Sequence, residues 1–225
     1  MPALFGDVDA AVFVTGETAE EIDYTALMTD WLPRIIAFVL VLSFVLLTIA
    51  FRSVVLPLKA IFLNLISVGA AYGVMVLVFQ HGIGNELFGL RETGLVSTWV
   101  PLFMFTVLFG LSMDYHVFLL SRIRERCLQT GNNSETVAHA VATTARVITG
   151  AALIIIVVFV GFASGDLSET QQVGFGVAIA LLIDATIIRC VLVPASMTLL
   201  GKWNWYLPSW LGWIPDPHIE RERAT

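Results

Sequence analysis

The chain has 225 residues, of which 57% are hydrophobic and only 13% charged, and its mean hydropathy is +0.85. A soluble domain carries about 25% charged residues, so this balance excludes an ordinary soluble fold and describes a membrane protein. The net charge of −6 is unevenly spread: residues 1–30 hold seven acids (Asp7, Asp9, Glu17, Glu20, Glu21, Asp23, Asp30) and no Lys or Arg, which leaves the rest near +1.

In chain order, residues 1–30 are polar, with one β-like stretch, Ala11-Val-Phe-Val-Thr15, closed by Gly16. Thr18-Ala-Glu-Glu21 has the capping-box pattern that starts a short helix. The head is too small to bury a core alone, so it is expected to be the tail of a soluble subdomain. It does not resemble a signal peptide, because no basic start and no apolar core precede the acids.

Five apolar spans follow, at about 33–51, 55–79, 97–121, 141–163 and 172–200. Each is close to the roughly 20 residues that cross a bilayer. The expected fold class is therefore all-α: a membrane bundle of five transmembrane helices over residues 31–201, followed by an interfacial tail over 202–225. Loop charge orients it. Arg52 and Lys59, then Arg122, Arg124 and Arg126, then Lys202, Arg221 and Arg223 lie on one side. Loop 80–96 sets one Arg against Glu86 and Glu92, and loop 164–171 has Asp166 and Glu169 with no base. The positive-inside rule then puts the N-terminus outside and the C-terminus in the cytoplasm. Trp203, Trp205, Tyr206, Trp210 and Trp213 are expected to form an interfacial aromatic belt. An odd number of spans led by a piece of external domain is the pattern of a truncated chain. Small residues at close spacing, as in Gly161-x-x-x-Gly165 and Gly174-x-Gly176, allow helices to approach in lipid.

Several chemistries find no support. Cys127 and Cys190 lack CxxC spacing, so neither a disulfide framework nor a metal or redox site is expected. There is no P-loop, Gly-rich nucleotide fingerprint, HExxH or Ser–His–Asp set. No cofactor, no ATP-driven pumping and no enzymatic role is expected. Three arginines at a membrane edge suit anionic headgroups rather than nucleic acid.

The third span holds Asp114-Tyr115-His116, eight residues and roughly 12 Å before the basic edge at Arg122, near the middle of a hydrocarbon core about 30 Å thick. A carboxylate there is costly unless it is paired, protonated or functional, so Asp114 is the leading site candidate. Gly110, one turn earlier, is expected to admit a facing helix. Tyr115 points about 100° away and is expected to face an acid on a neighbouring helix. His116 either joins a proton relay or lines the bundle. Asp184 lies mid-span in the fifth helix and Arg146 one or two turns inside the fourth. An Asp184–Arg146 pair is expected to clamp those helices. Arg189, five residues after Asp184, falls off its face in an α-helix and is expected to snorkel to the cytoplasmic edge. Ser134 is placed to cap the fourth helix.

The run Phe109-Gly-Leu-Ser-Met-Asp-Tyr-His-Val-Phe-Leu-Leu-Ser-Arg-Ile-Arg-Glu125 resembles the MMPL family, the actinobacterial lipid exporters of the resistance–nodulation–division superfamily. Val14-Thr-Gly-Glu-Thr-Ala19, Ala142-Thr-Thr-Ala-Arg-Val-Ile-Thr-Gly-Ala-Ala152 and Leu182-Ile-Asp-Ala-Thr-Ile-Ile-Arg-Cys-Val-Leu-Val-Pro-Ala195 extend the likeness to nearly the whole chain. The resemblance implies spans eight to twelve of a twelve-span transporter in the plasma (inner) membrane, with residues 1–30 as the end of its second periplasmic porter domain. It implies proton-motive-force-driven export of lipids or other hydrophobic molecules, with Asp114 and Tyr115 as one half of a proton relay. Beside what the resemblance implies, His116, Asp184, Arg146 and Arg189 are candidate supporting polar or ionic residues, with a structural role as the alternative. The partners implied are membrane lipids, protons, and an N-terminal half or equivalent chain carrying the second Asp-Tyr pair. The family often has Glu where His116 stands. The competing readings are a drug-exporting relative, a sterol-sensing-like half and a non-transporting membrane scaffold.

Overall fold

The computed structural model describes residues 15–91, 93–130 and 133–211; within them, the side chains at 86–87, 114–116, 118–120, 122–130, 133–147, 202 and 210 lie outside the description. Helix α1 spans Glu17–Phe51, α2 Val55–Met75, α3 Asn85–Phe88, α4 Trp99–Thr130, α5 Asn133–Ala163, α6 Ser168–Ile183 and α7 Val193–Leu200. Two π-helical stretches, Val76–Gln80 and Asp184–Leu192, extend α2 and join α6 to α7. Among the described residues there is no strand, and the architecture is an all-α membrane bundle. Glu17–Phe51, Val55–Gln80 and Ser168–Leu200 are long and apolar enough to cross a membrane. The described apolar stretches of α4 and α5 are Trp99–Met113 and Ile148–Ala163.

Three local expectations change. The short helix anticipated at Thr18–Glu21 is the start of α1, which runs through Pro33 to Phe51 without interruption. Its N-cap is Gly16, and no side chain caps it. The basic segment anticipated as a loop over 122–140 is helical through Thr130 and again from Asn133, so Ser134 is the second residue of α5 rather than its cap. The β-like residues Ala11–Val14 lie outside the described residues.

Helix α6 is central and packs against α2, α4 and α5, while α1 lies against α2 and α4. The most apolar window of the Ser168–Leu200 span is 56% buried, against 17% for α1, whose Phe38, Val41, Val45 and Ile49 face outward. Water would not tolerate that apolar face, whereas hydrocarbon does.

The α5–α6 contact depends on Gly174. A Cβ added there would lie 2.3 Å from the Ala163 nitrogen and 2.6 Å from the Phe159 carbonyl oxygen. Both are helix backbone and cannot swing aside. At Gly176 an added Cβ would meet the sulfurs of Met75 and Met104, each at 2.5 Å, and thioether side chains adapt. Gly174→Ala is therefore expected to destabilise by about 1–3 kcal/mol, the usual cost of overpacking, and Gly176→Ala by less. Thermal unfolding of the detergent-solubilised protein checks this. Equal midpoints for Gly174→Ala and the parent would refute the account.

Both ends of the bundle are tied by polar side chains that satisfy loop backbone, as buried backbone requires. Gln172, 1% exposed, accepts from Ser97 N (2.9 Å) and donates to Leu95 O (3.0 Å) and Thr93 Oγ1 (3.2 Å). Gln171 accepts from Arg91 N and donates to Gly165 O. At the opposite end α1 stops at Arg52, whose φ of 48° is left-handed. There Ser53 Oγ donates to Asn204 O (2.6 Å), and Asn204 Nδ2 donates to the carbonyls of Met197 (2.9 Å) and Gly201 (2.8 Å) at the end of α7. Lys59 Nζ donates to Asn204 Oδ1 at 3.3 Å.

Candidate functional site

Two apolar layers fill the bundle. One joins Met75, Phe79, Met104, Phe105, Val177 and Ala180, and the other Leu47, Phe51, Leu56, Ile188, Val193 and Met197. At their junction lies a buried polar layer of Asn64 and Ser67 from α2, Ser112 from α4, and Asp184 and Arg189 from the π-helical stretch.

Asp184 and Arg189 form its centre. Each side chain is 5% exposed, and Arg189 Nη2 and Nε both lie 2.7 Å from Asp184 Oδ2. The expectation that these residues occupy different faces fails for a geometric reason. Residues five apart in an α-helix are about 140° apart, whereas i→i+5 hydrogen bonding stacks them. Pro194, in the first turn of α7, contributes to the change of register. It has no N–H, and its ring crowds the carbonyl four residues earlier. The thiol of Cys190 accordingly donates to the Ala185 carbonyl, five residues back, at 3.2 Å. Among the described residues the cation on Asp184 is Arg189, which is held inside the bundle rather than snorkelling to its edge; the expected partner Arg146 lies outside the described side chains.

Ser112 links this pair to the other helices. Arg189 Nη2 donates to Ser112 O (3.1 Å) and Oγ (3.2 Å). Ser112 Oγ lies 2.6 Å from Asn64 Oδ1 and 3.2 Å from both Asp184 carboxylate oxygens. The hydroxyl has one proton, so it can donate to the amide or to the carboxylate but not to both. A cavity of about 10 Å³, bordered by Asn64, Ser67, Ser112 and Asp184, adjoins these groups. That is about the size that holds one water. Asn64, 1% exposed, directs an Nδ2 with no partner among the described residues.

The side chains of Asp114, Tyr115, His116 and Arg146 lie outside the described residues. The backbone still places position 114. It is two residues past Ser112, roughly 3 Å of rise, and about 200° around the helix. It is therefore level with the polar layer and on the opposite face of α4. The exposed residues of the described part of α4 are Phe103, Thr106, Gly110, Val117 and Ser121. Helical register sets all five within about 80° of position 114. Among the described residues nothing lies within 4 Å of a Cβ added at Gly110. Sequence reasoning singled out Asp184 and Arg189 but missed Asn64, Ser67 and Ser112. Their signal was available as polar residues at mid-depth in apolar spans. Among the described residues no group of His, Cys, Asp and Glu could hold a metal.

A helical membrane bundle with this polar layer matches known sequences. The "Mycolic acid-containing lipids exporter MmpL11" of Mycolicibacterium smegmatis is 44% identical over 98% of this chain and 23% of its own length. The "Heme uptake protein MmpL11" of Mycobacterium tuberculosis is 45% identical over 95% of this chain and 22% of its own length. The "Trehalose monomycolate exporter MmpL3" of M. smegmatis is 41% identical over 89% and 20%. The chain thus spans less than a quarter of these relatives. With residues 6–217 also matching the MMPL family as a whole, the chain belongs to the MMPL family.

Proposed function

We propose that this chain supplies proton-coupled membrane helices of an MMPL-type exporter, which moves lipids or other hydrophobic molecules across the plasma membrane on the proton motive force. The observation that carries the reading is the row on α4. Three of its five exposed residues, Thr106, Gly110 and Ser121, are small or polar, beside Phe103 and Val117, and by register position 114 falls among them at the depth of the buried polar layer. Lipid-facing positions favour bulky apolar groups, whereas small and polar residues suit a helix partner. An acid at that depth suits a proton site. Two of the relatives above are named as exporters of mycolic-acid lipids or of trehalose monomycolate, and one is named for heme uptake.

In this mechanism a second helical half covers the α4 row and offers its own groups to Asp114 and Tyr115. Protonation neutralises Asp114 and releases its cross-helix pair. The two halves then rock, and the motion passes to the external porter region where cargo moves. The Asp184–Arg189 pair, with Ser112 and Asn64, holds α2, α4 and α6 in register on the far side of α4. His116 and Arg146 take supporting positions. The acidic head lies outside and the C-terminus in the cytoplasm.

The test is export from membranes carrying the full protein. A protonophore, added while ATP is held constant, is expected to reduce lipid export to background. Export that continues unchanged after the proton gradient is collapsed would overturn proton coupling.

A further inference from the structure

A second cavity, of about 150 Å³, lies between α5, α6 and the α3 turn, at the end of the bundle that carries the 81–98 and 164–167 connections. Its floor is Leu90, Phe175 and Ala178, at most 7% exposed, and its mouth is Phe88 and Val160, 57% and 50% exposed. The one hydroxyl in the lining, on Ser164, is already donated to the Val160 carbonyl at 3.0 Å. Nothing in the lining asks for a polar ligand.

The packing explains why the cavity exists. Gly174 draws the α5 backbone onto α6. Ala178, one turn further on the same face, offers only a methyl, so the space a longer side chain would fill stays open. The ring of Phe175 forms a rigid wall, met edge-on by Phe79 at 5.8 Å and Phe88 at 5.4 Å. Phe88 ends the four-residue α3, which is bracketed by Gly84 (φ 85°) and Gly89 (φ 64°). Both glycines hold left-handed conformations that other residues rarely adopt.

An apolar void of this size stays dry and takes apolar guests such as benzene. Left empty, its walls lose dispersion contacts. Val160 belongs to the apolar stretch Ile148–Ala163, so in a membrane-spanning bundle the medium on that side of the mouth is hydrocarbon, while Phe88 stands on the 81–98 connection at the rim; the apolar groups free to enter past Val160 are lipid chains. We propose that this cavity binds the end of an acyl chain of a bilayer lipid, which enters past Phe88 and Val160. The inference requires only that the bundle sits in a membrane. It stands whether or not transport is proton-coupled.

The test uses membranes carrying the full protein and two photoreactive phosphatidylcholines, one with a diazirine at the acyl-chain end and one with it at the headgroup. After irradiation, adducts are mapped by peptide mass spectrometry. The chain-end probe is expected to label the floor residues Phe175 and Ala178, and the headgroup probe to spare them. Ala178→Leu fills the space and is expected to reduce floor labelling to the level of the headgroup probe. Phe88→Ala, a change at an exposed side chain, widens the mouth and is expected to raise it. If Ala178→Leu does not fold, Phe88→Ala decides alone, and unchanged floor labelling in it overturns the proposal. Undiminished labelling in a folded Ala178→Leu also overturns it. No floor adducts with either probe would mean that protein fills the cavity, which equally overturns it.

Discussion

Asp114→Asn is expected to abolish export while leaving the protein folded and in the membrane. Asparagine matches aspartate in size and mimics only its neutral form, so it can neither take up nor release a proton. If export is proton-coupled through this position, the cycle stops at one protonation state. The fold is expected to survive because of where position 114 lies. By register it belongs to the exposed row of Phe103, Thr106, Gly110, Val117 and Ser121, away from the packed face of α4 that holds Met104, Phe105, Leu108 and Ser112. Stability and activity should therefore separate. Size-exclusion profiles and export assays on the same preparations measure the two. Normal export by a well-expressed Asp114→Asn variant would sink the relay assignment.

The largest stability effect is expected at the buried ion pair. Arg189→Met keeps most of the side-chain volume but leaves the Asp184 carboxylate buried without its cation. Breaking such a pair from one side costs about 3–5 kcal/mol. The double variant Asp184→Leu/Arg189→Met removes both charges, and should recover most of that loss, because the original pair bore the desolvation of two ions. Unfolding of the purified protein in detergent is expected to rank the parent and the double variant together, with Arg189→Met well below. A midpoint for Arg189→Met equal to that of the parent would show that the pair contributes little. If the pair serves only as a clamp between helices, the double variant keeps export as well. If it participates in coupling, the double variant is stable and inactive.

Much of the helical architecture was legible in the chain because hydropathy is a sum over neighbouring residues. Five apolar runs announced the helices, and the resemblance around Asp114-Tyr115 announced the family. The helix ends were less legible. The basic segment after Ser121 reads as loop by composition, yet α4 continues to Thr130. Arg and Gln are good helix formers, and no proline or pair of glycines stops the helix there. The Asp184–Arg189 contact was missed for a sharper reason. Spacing arguments assume 3.6 residues per turn, and the Asp184–Leu192 stretch departs from that period where Pro194 interrupts the ladder.

The sequence by itself determined that this is a helical membrane protein of the MMPL kind, with an acid inside one of its apolar runs. Composition, span length and a distinctive motif are properties of the chain in one dimension. Only the tertiary structure decided which groups meet: that Asp184 holds Arg189, that Ser112 joins them to Asn64, that Gly174 closes two helices beside an apolar cavity, and that Phe103, Thr106, Gly110, Val117 and Ser121 form the exposed row of α4. Each of those depends on the angle of a residue around its helix axis and on which helix lies opposite. A local change of helical period or a single glycine contact alters both without leaving a mark in hydropathy.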